Sequence, residues 1–535
     1  MNTRITLAAF CIAATSLLSN AAFGQASVSE NESSTIYVDA SHGVDSYAGT
    51  GSQPVASISA AVSKAVANNA RGIGTKIVVS PGTYREAISI SARGTAPITI
   101  QASSTGSSYL SGSDVVGGWS HSYGSVYTHS FPYSTFSSSF GACPRVSGIY
   151  EHVTSAAFQK AMVFVNGNAL TQVYSTSALR AGTFFADSGS KLVRISPPNG
   201  TNMGSARVEV ASRPSVLSIY HGHNVTIRGM VFTHANSCIN KTAATVTSSS
   251  YVTFDHDQAV WNNWGGIGSS SNDHVTIQNS VASHNGGIGF TAYRNTNLTF
   301  NYDQADYNNW RGASGNFHDY GMGGLKMLDT HTGTVNNFYA SHNQAQGLWL
   351  DTDNTNVTIS GAHLNGNTYT NVQIEANQGP VRLQNSVICS GHNGINVLES
   401  ENFSVTGTKF YNNGGSANTA EFFLGGNPGG RTVSDYQSHR SMHLYSQNIS
   451  LQGNVFEDAT GSQYVFATYL GASDWNRFRG TLRSNGNQFY DPTKTAVFDL
   501  TGHKRITLSG WRSTTGQDSR SWSSPTSAAK AACNF

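Results

Sequence analysis

The chain has 535 residues, 38% of them hydrophobic and only 11% charged, with 31 Lys and Arg against 29 Asp and Glu for a net charge of +2. That length supports a large core, while so small and balanced a set of charges excludes a basic footprint for nucleic acid and a polybasic membrane patch. Aromatic residues at 10% exclude intrinsic disorder, and 55 Gly with only 12 Pro indicate many short strands joined by tight turns.

Residues 1–24 read as an export signal: Arg4 supplies the charge, an apolar run extends from Ile5 to Leu18, and Ala22-Phe23-Gly24 is a small-x-small cleavage site. The run is shorter than the ~20 residues that span a bilayer, so the mature protein is expected to be secreted, extracellular or periplasmic, without a membrane anchor. Cleavage removes Cys11 and leaves Cys143, Cys238, Cys389 and Cys533, enough for up to two disulfides. Cys238 and Cys389 are read as buried single thiols.

Residues 25–120 form an N-terminal cap and the first coils. Ile36 to Val38 and Lys76 to Val79 read as strands, the latter leading into Pro81-Gly82-Thr83-Tyr84, and Ser57 to Ala67 as a short amphipathic helix placed to cover an open sheet end. Over residues 121–215 the pattern is irregular, with strand-like pieces at Met162 to Val165 and Leu192 to Ile195, and this stretch reads as an inserted β-rich subdomain. Residues 516–535 are a C-terminal tail.

Residues 216–515 repeat a strand phrase: NVTIRG (224–229), YVTFDH (251–256), HVTIQN (274–279), NLTFNY (297–302), NVTISG (356–361), NFSVTG (402–407), NISLQG (448–453) and RITLSG (505–510). Its central residue falls at Thr226, Thr253, Thr276, Thr299, Asn336, Thr358, Arg382, Ser404, Ser450, Thr481 and Thr507, a period near 23 with a few long steps. That is a solenoid with loop insertions. Asn punctuates the coils in a second register, at Asn263, Asn285, Asn308, Asn343, Asn367, Asn393 and Asn413. Asn tolerates left-handed backbone and stacks by hydrogen bonds, which suits the corner of a parallel β-helix. A leucine-rich lattice is absent, and the four strands per ~40–45 residues of a propeller are not found.

Alternation along strands and stacking between coils make the register calculable. Aligning Gly347 to Asp351 with Asn371 to Glu375 turns Leu348, Leu350, Val372 and Ile374 inward. Trp349 and Gln373 then point outward in one column, and Asp351 and Glu375 in the next. Lys326 precedes the first column, Asn396 extends it, and Glu399 is placed as a continuation of the second. Stacked like charges repel, so one carboxyl is expected to have a raised pKa, as a general acid requires. The competing readings are a solvated carboxylate ladder and a calcium site built from Asp351, Asp353, Glu375 and Glu399. Trp349 is either a packed aromatic or a sugar-stacking platform. Lys326 is a base, a substrate anchor or, preferentially, an ion-pair partner of Asp351. The long step before Lys326 carries His318, a candidate donor to a sugar hydroxyl, and a loop from about 414 to 446 carries Glu421, Arg431, Asp435, His439 and Arg440.

The phrases IYVDASHGVDSYAGTGSQP, PGTY, MVFVNGNAL with QVYS and GTFF, and GLWLDTDN with QIEANQGP resemble secreted right-handed parallel β-helix enzymes that act on polysaccharides. The last pair is similar to the catalytic segment of β-helical β-xylosidases of glycoside hydrolase family 120. The resemblance implies an all-β right-handed parallel β-helix, with Asp351 as nucleophile and Glu375 as acid/base. Asp351 and Glu375 lie 24 residues apart, one more than that pattern, which leaves Asp353 as a rival nucleophile.

The expected function is therefore a retaining glycoside hydrolase acting on a polysaccharide or its oligosaccharides. Lys326, Trp349, Asp353, Gln373, Asn396, Glu399 and His318 are assigned to substrate binding. No cofactor is required; if Ca²⁺ binds, its ligands are Asp351, Asp353 and Glu375. Two alternatives stand beside it: a polysaccharide lyase or uronate epimerase with Lys326 as base and Ca²⁺, for which Arg294 or Arg311 would add positive charge, and a non-catalytic carbohydrate-binding solenoid.

Overall fold

The structure, a computed structural model, describes residues 31–132, 143, 152–318, 320–414, 419–459, 461, 463–525 and 527–533. The export signal and Ala22-Phe23-Gly24 lie outside them. Glu32–Phe535 form one unit.

Each coil visits three sheets in turn, as in Ser250–Asp255, Gln258–Val260 and Gly265–Ser270. Among the described residues these sheets hold thirteen, twelve and thirteen strands, and almost all neighbours pair in parallel, one coil to the next. The architecture is a right-handed parallel β-helix. Alternation fills its interior: Val252 and Phe254, Val275 and Ile277, Leu298 and Phe300 all point inward and are buried.

The corners are held by side chains. Asn285 Nδ2 donates to Asn308 Oδ1 (3.1 Å), Asn308 Nδ2 to Asn343 Oδ1 (2.9 Å), and Asn343 Nδ2 to Asn367 Oδ1 (2.9 Å). Each Nδ2 also donates to a carbonyl of the preceding coil, as Asn308 does to Ala282 (2.9 Å). Two expected rungs are displaced. The column starts at Asn262 rather than Asn263, which instead binds the insertion through Gln159, and Asn371 replaces Asn393 in bridging Asn367 to Asn413. The column ends on Glu421, whose carboxyl accepts from Asn413 and is pushed well above the usual range by burial.

The first-sheet register also corrects the repeat reading. Thr299 pairs with Thr334, not Asn336, and Ser450 with Arg483, not Thr481. Each slip is two residues, so the same faces point inward. Thr507 is not in a strand: its hydroxyl caps the helix Leu508–Thr515, whose Trp511 seals the solenoid against Phe466 and Phe498. Lys504–Ile506 turns back antiparallel on Phe498–Leu500, ending the third sheet.

At the other end, the helix Ile58–Asn69 buries Ile58, Ala61, Val62 and Ala65, an i, i+3, i+4, i+7 stripe, and Ser57 caps it by accepting from Ala60 N. From Ser113–Val115 to Val208–Ala211, which pair with each other, the coil is interrupted by two sheets with mostly antiparallel pairing and an apolar cluster around Phe184, Val193 and Ile195. Arg311 fastens this insertion to the solenoid through Gln172 Oε1 (2.8 Å) and the Ala161 carbonyl (2.7 Å). The reading of Cys238 and Cys389 as free thiols is overturned: Cys143–Cys238 and Cys389–Cys533 are disulfides, the second tying the tail to the coils. The spacing of 95 and 144 residues hid both pairings.

Because the Asn308 side chain accepts from the preceding coil and donates to both neighbouring coils, Asn308→Ala strands several buried groups. It should lower stability by about 3 kcal/mol, read as a fall in the denaturant midpoint.

Candidate active site

The site lies on the outer face of the third sheet, on the strands Gly323–Leu328, Gln346–Asp351, Val372–Glu375 and Ile395–Leu398. Leu325, Leu348, Val372 and Ile395 form one inward column, and Met327, Leu350, Ile374 and Val397 the next. These buried columns fix the outward ones. Lys326, Trp349, Gln373 and Asn396 stand in register, and Asp351 stands beside Glu375. The corner amides Asn354 and Asn377 clamp the strand ends, donating to the Asp351 carbonyl (2.7 Å) and the Glu375 carbonyl (2.9 Å), and Asn354 Nδ2 also donates to Asn377 Oδ1 (2.8 Å).

The two carboxylates have different surroundings. Lys326 Nζ lies 2.8 Å from Asp351 Oδ2 and 3.7 Å from the centre of the Trp349 ring. Thr352 Oγ1 donates to Asp351 Oδ1 (2.9 Å). Glu375 accepts from Gln373 Nε2 (2.7 Å) and Arg431 Nη1 (2.8 Å). Burial, and then the charge of Asp351, raise the Glu375 pKa, with Gln373 and Arg431 opposing the shift. Lys326 is thus the ion-pair partner of Asp351. Trp349 is only 6% exposed and carries the ammonium on its face, so it is packed rather than an open platform.

The 24-residue separation has a local cause. Leu328 is followed after two residues by Thr330 and Glu375 after two by Asn377, but Asp351 after three by Asn354, the matching corner residue. The extra residue gives the turn two successive left-handed positions, Thr352 (φ 36°) and Asp353 (φ 57°). This bulge removes Asp353 from the face. Its fully buried carboxylate meets His331 Nε2 (3.2 Å) and accepts from Gln378 Nε2 (2.7 Å) and Tyr436 N (2.9 Å). Gln378 also donates to Asp435 (3.1 Å). Although burial opposes it, hydrogen bonding to Asp353 holds the His331 pKa above its ordinary value.

The loop after Gly425 forms a two-stranded hairpin, Arg431–Ser434 with Ser441–Leu444. Arg431 reaches Glu375 from it, Asp435 and Tyr436 reach the bulge, and Val433 and Leu444 pack on Ala376. Glu399 does not continue the carboxylate column, because Leu398 pairs with Glu375. Glu399 is buried at the root of the hairpin and accepts from Asn427 N. His318 binds the Gln344 carbonyl (2.8 Å), near the opposite end of the strand from Asp351. Arg311 is buried under the insertion, and Arg294 pairs with Asp329 (3.3 Å), so neither adds free charge beside the pair.

The calcium set Asp351, Asp353 and Glu375 is not assembled, since each carboxylate faces separate partners. Among the described residues, a grouping with metal-ligand spacing is His331, Asp353 and Asp435, its ligand atoms within 4.8 Å of one another and already bridged by Gln378. Sequence reasoning missed His331, Gln378 and Tyr436, and included Arg431 without a partner. A left-handed turn one residue too long was the signal available for Asp353.

No family model and no curated protein matches the sequence. Among solved structures, the complex of XylC with xylose superposes with a TM-score of 0.70 at 14% identity, covering 91% of this chain and 86% of that one. The A-module of the Azotobacter vinelandii mannuronan C-5 epimerase AlgE6 superposes with a TM-score of 0.51, also at 14% identity, over 88% and 94%. At these identities the shared feature is the fold.

Asp353→Ala removes the acceptor common to His331, Gln378 and Tyr436 N. Limited proteolysis should then cut the hairpin between residues 427 and 447 several-fold faster, with the far-ultraviolet spectrum unchanged.

Proposed function

We propose that the protein is a retaining glycoside hydrolase with Asp351 as nucleophile and Glu375 as acid/base. The observation that carries the reading is that the two carboxyls stand on adjacent strands with unequal environments. Adjacent strands are about 4.8 Å apart, near the 5–5.5 Å that separates the carboxyl groups of retaining enzymes. Lys326 supplies a fixed counter-charge to Asp351, while burial and Asp351 push Glu375 toward the protonated form that a general acid needs.

In the first step Asp351 attacks the anomeric carbon as Glu375 gives its proton to the departing glycosidic oxygen, and a glycosyl ester forms on Asp351. The charge on Asp351 is then spent, which removes the repulsion that helped to raise Glu375. Glu375, now a carboxylate beside Arg431, takes a proton from water as that water attacks the anomeric carbon, freeing the sugar with its configuration retained.

The fold likeness to XylC, solved with xylose, is consistent with this chemistry. A lyase or epimerase reading would require Lys326 to leave Asp351 and act as a base, which costs the contact that balances the carboxylate. The two disulfides fit a protein exported to an oxidising compartment.

Asp351→Ala and Glu375→Ala should each reduce kcat/KM on a glycan by about 10³-fold or more with the fold intact. An aryl glycoside with a good leaving group should restore the first step in Glu375→Ala but not in Asp351→Ala. Normal turnover in either variant, or ultraviolet absorbance from an unsaturated product, would sink the assignment. A second test uses pH. Arg431 favours the ionised form of Glu375, so Arg431→Ala should raise its pKa and move the alkaline limb of the kcat/KM profile to higher pH.

A further inference from the structure

The corner between the third and first sheets carries an open groove that leads away from the carboxylate pair. Two hollows of about 500 and 450 Å³ adjoin across Ser248 and Ser250, which line both. Successive coils contribute Arg93, His221, Ser248, Ser271 and Arg294 to this corner, and Tyr436 of the hairpin closes one end. Four coil steps of about 4.8 Å make the groove roughly 19 Å long, the span of several sugar rings.

The groove is joined to the site. Tyr436 lines it with its side chain while its backbone N–H holds Asp353, two residues from Asp351. Arg294 lines it while pairing with Asp329, whose carboxyl, raised mainly by burial, also feels the charges of Asp353 and Asp351.

Its chemistry selects a class of ligand. Most lining groups are hydroxyls and amides, which exchange hydrogen bonds with water for hydrogen bonds with other hydroxyls. Of the charged groups, Arg294 is answered by Asp329 and Asp273 by His274 (2.8 Å), which leaves Arg93 at the N-terminal end as a lone cation. A polyuronate carries a negative charge on every sugar and would meet Arg93 alone at one end, not a cation on every coil. We infer that this groove binds a neutral glycan chain, extending the substrate site over several sugars toward the N-terminal coils. The inference rests on the glycosidase reading, and it makes the substrate a polymer or long oligosaccharide rather than a disaccharide.

The test measures binding in the full-length Glu375→Ala protein, by calorimetry, with xylo-oligosaccharides and mannuronate oligosaccharides of increasing length from the disaccharide upward. Affinity for the neutral series should rise by about tenfold or more with length and then level off. Ser271→Trp in the same background should abolish that rise, and Arg93→Ala, which adds no bulk, should reduce its last increments. Affinity that does not change with length overturns the groove. So does a rise that both substitutions leave untouched, or a rise confined to the uronate series. Turnover of an aryl xyloside by the parent protein is measured separately, so that failure of the glycosidase reading is distinguished from failure of the groove.

Discussion

An amide side chain buried at a solenoid corner has two donors and an acceptor to satisfy, and water is not there to do it. The solution here is repetition, since an Asn at the same place in the next coil supplies what the first one lacks. Asn285, Asn308 and Asn343 solve the problem jointly, each bonded above and below. That mutual requirement keeps the corners in line while loops of very different length leave between them. Everything outside the barrel inherits its position from this constraint, including two acidic side chains whose backbone carbonyls are gripped by Asn354 and Asn377.

Placing two carboxylates one strand apart is unfavourable unless the surroundings treat them differently. The scaffold itself supplies Lys326 to Asp351 from the preceding coil, whereas the cation facing Glu375 comes from a hairpin inserted more than fifty residues later. The first pairing is set by the register. The second depends on the hairpin staying docked through Asp353, Gln378 and Tyr436. The asymmetry between the carboxyls is therefore partly intrinsic to the coil and partly imposed by a loop.

Features governed by period were legible in the sequence. Inward columns of Leu, Val and Ile set the outward faces, so the alignment of Lys326 with Trp349 and of Asp351 with Glu375 follows from alternation alone. Features governed by single-residue exceptions or by long-range contacts were not. One added turn residue took Asp353 out of the face, and a one-residue difference in strand end put Leu398 where Glu399 was expected. Thr507 looked like another strand residue because a helix cap and a β-branched strand position favour the same residue type. The partners of Cys238 and Cys389 lie outside the repeat, where no period reports on distance.

The bulge at Thr352 and Asp353 also bears on how such a chain diverges. An added residue in a packed globular core shifts everything around it, but here the corner absorbs it and the next coil resumes in step at Asn354 and Asn377. Each corner is thus a place where length can drift without moving its neighbours. The stacked carboxylates can keep their geometry while loops and most surface positions turn over, because length added at one corner is not passed on to the strands beside it.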